Sequence, residues 1–353
     1  MDHGCKSDPA NLWLDMVIVV DTSIQMTDDK MQLVTSSIYD TLSPETRIGS
    51  NYNDPRSTRV GIVTYDKDAT ILAGLDSINS SSTLFQTLGT LNHTDSEQSH
   101  LSLGLEKAGE VLEAGRSNGY RSNYPQLIIV YIATYQETQE TDPYPIALQL
   151  HSKKVTVIIV NMDDKTSDIY LNLRGLAPNR YYGYRYSIAE QLLEDFGNVN
   201  CYCKTGPTEI HRFDTCIDVS TDKKSWNAAS ESCRIKDGHL ARITRAYMHR
   251  DRAEYFLKTT NASYGGYYIG LHKKNDKWFW EQPAGEDPIV ETDMDHFMNW
   301  TPGFPIEEDT KTAVTAVYKP FGSNMLWENV DPNDDLRFYI CEVLPCDTDN
   351  YCP

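Results

Sequence analysis

Long apolar runs, separated by segments with helical spacing, dominate the first two hundred residues of the chain. Four of these runs are continuous rather than alternating, and they occupy residues 16–20, 59–65, 126–133 and 154–162. Strands that are buried on both faces of a parallel sheet have this pattern, and parallel strands require crossover helices between them. The pattern predicts an open, doubly wound α/β sheet with its ligand site outside the carboxyl ends of the strands.

The pattern changes after Gly197. This glycine is expected to end an amphipathic helix, because apolar residues at helical spacing precede it. Beyond it the long aliphatic runs nearly vanish, and seven of the eight cysteines follow residue 200. Trp226, Ala229 and Cys233 then share a helical spacing. We therefore expect a second domain of a different kind, which agrees with a length of 353 residues.

Charge and motif content exclude several classes of function. The net charge of -19 argues against nucleic acid as a partner, since nothing in the chain would neutralise phosphates. No apolar run reaches the roughly 18 residues that a membrane span needs. No nucleophile–base arrangement, phosphate-binding glycine loop or zinc-type histidine spacing is present, so we expect a protein that is not an enzyme.

The cysteines and the glycosylation sequons favour an extracellular, secreted protein. An even number of cysteines without a C-x-x-C pair fits a disulfide framework made in an oxidising compartment. The acceptor residues of the sequons are Asn79, Asn92, Asn261 and Asn299. The first residues lack the basic start and apolar core of a signal peptide. We therefore expect that the sequence shown begins after its signal, or that the gene model is incomplete.

The order of elements in residues 12–198 resembles the von Willebrand factor A domain, a Rossmann-like α/β fold. Its most specific portion is Asp21-Thr22-Ser23 at the end of the first strand. In that family a metal-dependent adhesion site takes D-x-S-x-S from the first loop, a threonine from the second and an aspartate from the third. The resemblance places the following residues at these positions: Asp21, Ser23, Gln25, Ser99, and Ala133 or Thr134.

These residues form a thin ligand set for a metal ion. A divalent cation needs about six oxygen ligands, and Asp21 is the one carboxylate at the five positions. One interpretation is a weakly bound Ca²⁺ or Mg²⁺. The other, which we favour, is that Asp21 and Ser23 cap the first helix and satisfy backbone N–H groups.

Residues 203–343 resemble the C-type lectin-like domain, an α+β fold, and residues 344–353 form a cysteine-containing tail. The motifs that carry the resemblance occur in the order of that family: Trp226, Ala229, Cys233, Ile269-Gly270-Leu271, Trp280, Asn299-Trp300 and Tyr339-Ile340-Cys341-Glu342. The two domains in this order resemble nematode secreted C-type lectin proteins. That resemblance implies recognition or adhesion outside the cell, with glycans or extracellular proteins as partners, and a part in the innate immune response.

The lectin resemblance also implies two disulfides, Cys203–Cys216 and Cys233–Cys341. For the remaining cysteines, we expect Cys5–Cys201 to clamp the ends of the first domain and Cys346–Cys352 to pin the tail. Eight cysteines allow many connectivities, so these last two pairs stay open.

Sugar binding in the lectin family usually depends on calcium. Its ligands come from a Glu-Pro-Asn or Gln-Pro-Asp triplet, a following acidic residue and a Trp-Asn-Asp triplet. Here the triplets read Phe304-Pro305-Ile306 and Trp327-Glu328-Asn329. The residues available for an altered calcium or sugar site are Glu307, Glu308, Asp309, Glu328 and Asn329. The alternative, which we favour, is an acidic, solvated loop without a bound ion. A calcium-dependent lectin with an altered site is therefore the second hypothesis for the function.

Overall fold

The computed structural model describes residues 5, 7–42, 45–117, 119–135, 141–163, 173, 175–177, 182–184, 188–204, 208–210, 215–260, 265–283, 289–290, 297–318, 325–333 and 335–353. The chain divides into two compact units. The first unit comprises Cys5–Tyr202 together with Cys346–Pro353, and the second comprises Cys203–Pro345.

The first unit alternates strands and helices along the chain. Within the described residues its strands are β1 (Asp15–Asp21), β2 (Arg59–Tyr65), β3 (Ala69–Ala73), β4 (Gln126–Ile132), β5 (Val155–Asn161) and β6 (Tyr182–Tyr184). Its helices are α1 (Asp28–Thr41), α2 (Ser81–Leu88), α3 (Leu101–Ala114), α4 (Tyr144–Ser152) and α5 (Ile188–Asn200), with a short 3-10 helix at Pro9–Asn11.

The strands of the first unit form one sheet in the order β3-β2-β1-β4-β5-β6. All neighbours pair in parallel except β2 and β3, which are antiparallel. The four apolar runs form the central strands, and every side chain of β1 and β4 is buried. This arrangement confirms the predicted parallel α/β sheet. It also brings the carboxyl ends of β1 and β4 together, with Val20 opposite Tyr131.

A buried ion-pair network lies at the amino end of β1. Asp15 is fully buried and accepts a hydrogen bond from Arg59 Nη2 at 2.8 Å and another from Arg121 Nε at 2.9 Å. A buried carboxylate is tolerated when cationic partners and hydrogen bonds compensate for its lost hydration. β1 therefore carries a carboxylate at each end, and the one at this end is neutralised by arginine.

α5 does not end at Gly197, as the sequence led us to expect, but continues to Asn200. A β-carbon on Gly197 would overlap the side chain of Ser7. The glycine is thus required for the close approach of another segment, which its position in the sequence does not show.

The C-terminal residues 346–353 pack into the first unit. Tyr202 and Cys346 exchange backbone hydrogen bonds of 3.1 and 2.8 Å. Trp13 is fully buried, and its Nε1 donates to the carbonyl oxygen of Asp347 at 2.8 Å. The chain therefore leaves this unit after Tyr202 and returns to its core at Cys346.

The second unit combines short strands with helices. Within the described residues its strands are β7 (Thr208–Ile210), β8 (Thr215–Val219), β9 (Gly238–Leu240), β10 (Gly266–Lys274), β11 (Lys277–Trp280), β12 (Ile289–Val290), β13 (Ala313–Tyr318), β14 (Met325–Val330) and β15 (Phe338–Val343). Its helices are α6 (Trp226–Arg234) and α7 (Ala246–Thr260).

Aromatic side chains fill the core of the second unit. The strands follow the order β12-β11-β10-β15-β8-β7, with β13 beside β10 and β14, and β9 beside β15. Trp280 and Trp327 are buried and meet edge to face, with ring centroids 5.9 Å apart. Phe256 of α7 is buried in the same core. Helices packed against these strands confirm the predicted α+β fold.

Four disulfides are present among the described residues, and they join the pairs expected from the sequence: Cys5–Cys201, Cys203–Cys216, Cys233–Cys341 and Cys346–Cys352.

Candidate functional site

Asp21, the last residue of β1, provides the carboxylate at the position where the adhesion-site resemblance expects a metal ion, and it is fully buried. Its Oδ1 accepts a hydrogen bond from the backbone N–H of Ser23 at 2.8 Å. Its Oδ2 accepts from the backbone N–H of Ala133 at 3.1 Å and of Thr134 at 3.3 Å. Three backbone N–H groups therefore converge on this carboxylate from the ends of two neighbouring strands.

The hydroxyl groups of Ser23 and Ser99 adjoin the same carboxylate. Burial raises the pKa of Asp21, and the N–H groups of Ser23 and Ala133 and the two hydroxyls oppose that rise. Neither hydroxyl oxygen makes a hydrogen bond of standard geometry within the described residues. The structure thus brings Asp21, Ser23 and Ser99 together, whereas Gln25 is exposed on the loop.

This arrangement does not fit a divalent cation. Asp21 and Ser23 are 0% exposed and Ser99 is 1% exposed, so all three side chains are shielded from solvent. The carboxylate oxygens already accept N–H donors, whereas a dication needs about six oxygens around itself. Where the family has an aspartate, the backbone of residues 133–134 closes on Asp21 instead.

The prediction that Asp21 satisfies backbone N–H groups is confirmed. The interpretation of Asp21 and Ser23 as caps of the first helix is wrong. α1 begins at Asp28 with Thr27 as its N-cap residue. The N–H groups that Asp21 satisfies lie two residues along its own chain and just beyond β4. Asp21 therefore ties the end of β1 to the end of β4, and it does not nucleate a helix.

In the second unit, Asn329 ends the triplet Trp327-Glu328-Asn329, where the lectin resemblance expects calcium ligands. Side chains of β14 alternate between buried and half-buried, and Asn329 is 2% exposed. Its Oδ1 accepts from the backbone N–H of Ile306 at 2.7 Å. Its Nδ2 donates to the carbonyl oxygens of Ile306 at 2.8 Å and Lys311 at 3.0 Å. Glu328, on the other face of the strand, accepts from Thr301 Oγ1 at 3.3 Å.

Glu307, Glu308 and Asp309 are exposed on the loop between those contacts. Lys273 Nζ lies 3.2 Å from Glu307 Oε2, and Lys311 Nζ lies 3.2 Å from Glu308 Oε2. The hydrogen bond to Glu307 raises the pKa of Lys273. Two of the three acidic side chains are thus paired with lysines of the same unit.

This second arrangement does not fit calcium, which takes about six to eight oxygen ligands. The oxygen of Asn329 is engaged with a backbone N–H, and residues 307–309 expose their carboxylates to solvent. The structure brings Asn329 to the backbone of the loop rather than to its acids. Across the part of the chain that is described, no three His, Cys, Asp or Glu side chains are grouped so that they could share a metal ion.

His249 was not identified from the sequence, although it contacts the backbone of β14. It is buried in α7 with Nε2 2.6 Å from the carbonyl oxygen of Met325, to which Asn299 Nδ2 also donates at 2.6 Å. Nε2 therefore carries the proton, and the buried Nδ1 has no partner within the described residues. Burial lowers the pKa of His249, and the contact with Met325 opposes that shift. No side-chain motif marks this residue, because its partner is a backbone carbonyl.

The sequon residues differ in their surroundings. Asn79 and Asn92 are exposed, and Asn261 lies outside the described residues. Asn299 uses its amide nitrogen to bind the Met325 carbonyl. We propose glycosylation at Asn79 and Asn92, where the amide lies at the surface.

Two family models match the chain, the von Willebrand factor type A domain at residues 15–196 and the Lectin C-type domain at residues 222–343. The first match covers just over half of the 353 residues. The chain belongs to the von Willebrand factor type A domain family. Its second unit carries the C-type lectin domain, so both resemblances inferred from the sequence are confirmed.

Curated relatives align with all or part of this chain. C-type lectin domain-containing protein 160 of Caenorhabditis elegans is 22% identical over 379 residues, which are 99% of this chain and 56% of that protein. E-selectin of Equus caballus is 26% identical over 128 residues, which are 36% of this chain and 19% of that protein. The chain thus spans about half the length of the first relative and about a fifth of the second.

Two solved structures resemble part of the chain. Proximal thread matrix protein 1 from the mussel byssus aligns with 17% identity and a TM-score of 0.42, over 54% of this chain and 47% of that one. Human lithostathine aligns with 19% identity and a TM-score of 0.32, over 40% of this chain and 99% of that one.

This chain therefore combines a von Willebrand factor type A domain with a C-type lectin domain. In the described part of the chain, no helix combines the length and apolar character that crossing a bilayer requires.

Proposed function

We propose that this chain is a secreted, non-enzymatic recognition protein whose binding to glycans or extracellular proteins needs no divalent cation. One observation carries the proposal. At two positions that the resemblances assign to cation ligands, backbone N–H groups occupy the side-chain oxygens, those of Ser23 and Ala133 at Asp21 in the first unit and that of Ile306 at Asn329 Oδ1 in the second. The protein's own groups must then hold the partner.

We infer that loop 297–312 of the second unit is the recognition surface. Asn329 holds this loop from its buried side. Trp300 packs against Trp278 with ring centroids 5.2 Å apart, and both residues are half-buried. Tryptophan offers a large apolar face to a partner, and the exposed carboxylates of residues 307–309 accept hydrogen bonds from sugar hydroxyls or cationic groups.

The disulfides and the exposed sequons support an extracellular location. A part in the innate immune response stays a prediction that rests on the resemblance to nematode lectin proteins.

Binding of the full chain to a glycan array and to a panel of extracellular matrix proteins tests the proposal. We expect the same bound set in calcium and in EDTA. Glycan binding that EDTA abolishes would instead support the calcium-dependent lectin with an altered site. Binding to proteins alone would select the protein-recognition branch of the proposal.

Substitution of the loop acids tests the location of the surface. We expect the triple variant Glu307→Gln, Glu308→Gln, Asp309→Asn to weaken partner binding by about tenfold, which is about 1.4 kcal/mol. The matched control replaces three exposed acids of α3, with the substitutions Glu106→Gln, Glu110→Gln and Glu113→Gln. The control makes the same change in net charge, so equal losses in both variants would show a long-range charge effect rather than a contact surface.

A further inference from the structure

The hairpin of β10 and β11 ends in two lysines that lie directly opposite each other. Lys274 pairs with Lys277 in the antiparallel register, and both side chains are exposed. Side chains in such a pair have β-carbons about 4.5–5.5 Å apart, and like charges at this separation destabilise a sheet. Within the described part of the chain, neither lysine belongs to an ion pair. The unit therefore leaves this pair of positive charges without a neutralising partner.

The nearest acidic side chains are paired with a different lysine. Lys273 Nζ lies 3.5 Å from Asp276 Oδ1 and 3.2 Å from Glu307 Oε2. Successive side chains point to opposite faces of a strand, so Lys273 belongs to the opposite face of the hairpin from Lys274. The whole chain carries a net charge of -19. A cationic pair on such a chain differs in sign from the protein as a whole.

A tight turn fixes the two lysines in place. Asn275 and Asp276, which lie between them, have φ angles of 50° and 58°. Two successive left-handed residues are typical of the two-residue type I′ hairpin turn, and Asn and Asp tolerate this conformation. The backbone therefore holds both lysine stems on one face before a partner arrives, and less conformational entropy is lost on binding.

Aromatic rings continue the same face of the hairpin. His272 lies opposite Phe279 with ring centroids 6.2 Å apart, and both residues are half-buried. This pair lies two residues along the strands from the lysine pair, a distance of about 6.6 Å. The faces of aromatic rings carry partial negative charge, and they therefore pack well against the C–H groups of a sugar ring. We call this surface the cationic hairpin face: His272, Lys274, Lys277 and Phe279.

We propose that the cationic hairpin face binds an anionic saccharide. Its sulfate or carboxylate group lies between the two ammonium groups, and its sugar ring lies on the aromatic pair. One anionic group matches one pair of lysines, whereas the net charge of -19 repels an extended polyanion such as nucleic acid or an acidic membrane.

The cationic hairpin face is distinct from loop 297–312, the recognition surface proposed above. That loop contacts the other face of the hairpin, where Lys273 pairs with Glu307 and Trp278 packs against Trp300. The two surfaces therefore lie on opposite faces of one hairpin, and separate substitutions can test them.

Binding of the full chain in EDTA to a glycan array tests the proposal, with each core presented in uncharged, monosulfated and carboxylated form. We expect the anionic forms to bind at least about tenfold more tightly than the uncharged forms of the same cores. The comparison of sulfated with carboxylated forms identifies the preferred group. A rise in NaCl from about 0.05 to about 0.5 M should weaken this binding, because salt screens exposed charges.

Substitution of the lysines tests the location of the site. We expect the double variant Lys274→Gln, Lys277→Gln to bind the anionic forms about tenfold more weakly, and Lys274→Arg, Lys277→Arg to retain binding because both charges remain. The matched control Lys223→Gln, Lys258→Gln removes two other exposed charges of the same unit. The glutamine variant should unfold at no lower temperature than the native chain, because two like charges in opposition add no stability.

Several results would overturn the proposal. One is equal binding, or no binding, of the charged and uncharged cores, and another is an equal loss in the lysine variant and its control. Tighter binding to an aspartate-rich peptide or to phosphatidylserine vesicles than to every anionic saccharide would also overturn it. Glycan binding that the triple variant of residues 307–309 weakens and the lysine variant does not would overturn this proposal and leave the recognition surface of loop 297–312 in place.

Discussion

The positions at which the two domain families hold a cation are closed in opposite ways. The first unit keeps the carboxylate, and three backbone N–H groups bind the oxygens of Asp21. The second unit has an amide in place of the carboxylate, and the donors of Asn329 bind two carbonyl oxygens. The arrangement in the first unit keeps an ionisable side chain in the core, where burial raises the pKa of Asp21. The arrangement in the second unit places the uncharged amide of Asn329 at its position.

The difference illustrates two ways in which N–H groups can surround a position where a domain family holds a cation. At Asp21, backbone N–H groups of other residues donate to the carboxylate oxygens. At Asn329, the side-chain amide itself donates to the carbonyl oxygens around it. Both arrangements give hydrogen-bond partners to one buried side chain, the carboxylate of Asp21 and the amide of Asn329, as buried polar groups require. The two positions therefore support the fold of their units without an ion.

The largest expected effect is that of Asn329→Leu on the second unit. The apolar side chain keeps the volume but leaves the backbone groups of Ile306 and Lys311 without their partner. We expect the free energy of unfolding to fall by about 4 kcal/mol, since each buried polar group left unsatisfied costs about 1–3 kcal/mol. Urea unfolding followed by tryptophan fluorescence measures the change. Glu328→Leu, on the half-exposed face of the same strand, is the control, and an equal loss in both variants would contradict the account.

The corresponding change in the first unit is Asp21→Ala. It removes the acceptor of two buried N–H groups, those of Ser23 and Ala133. We expect a loss of about 3 kcal/mol, which is smaller because the variant also removes a buried charge. Urea unfolding followed by circular dichroism reports it. The exposed Asp68→Ala is the control, with an expected change below about 0.5 kcal/mol, and indistinguishable midpoints would mean that Asp21 does not tie the strands.

Removal of the tail disulfide is expected to change the stability of the first unit and not that of the second. We expect the double variant Cys346→Ser, Cys352→Ser to destabilise the first unit by about 2 kcal/mol, because the bridge closes a short loop. The second unit, read by tryptophan fluorescence, should unfold as in the native chain. A loss confined to the second unit would contradict the place of residues 346–353 in the first.

The smallest expected effect is an acid sensitivity of the second unit that originates at His249. Burial holds the folded-state pKa of His249 below its ordinary value of 6.5. The unfolded chain therefore binds more protons at mildly acidic pH, and the stability contribution is fully present above pH 6.5 and lost as pH falls below it. Urea unfolding at pH 7.5 and pH 5, compared with His249→Gln, measures this term. The variant keeps an amide donor for the Met325 carbonyl and does not titrate, so an unchanged pH slope would show that His249 is not its source.

The fold was more predictable than the chemistry of the sites. The continuous apolar runs predict the central parallel strands, because burial on both faces of a sheet requires them. Asp21 and Ser23 were located correctly at the carboxyl end of β1. The resemblance also placed Ala133 or Thr134 at this site, but their role as backbone N–H donors to Asp21 was not predictable, because a backbone donor has no residue type to recognise.

The same limit applies to Asn329. The lectin resemblance implies an acidic residue at its position, but the loop groups that its amide binds are backbone atoms of Ile306 and Lys311. Gly197 is a further example, since glycine serves both as a helix stop and as a site of close packing. Only the position of Ser7 distinguishes the two roles.

Calorimetric titration of CaCl₂ and of MgCl₂ into the chelator-treated full chain tests the central claim most directly. We predict heats of dilution only, for both ions, up to about 10 mM, because neither position offers the free oxygens that a dication requires. A saturable heat with a Kd below about 1 mM would contradict the account. If Asp21→Ala or Asn329→Leu then removed that heat, the titration would also show which unit binds the ion.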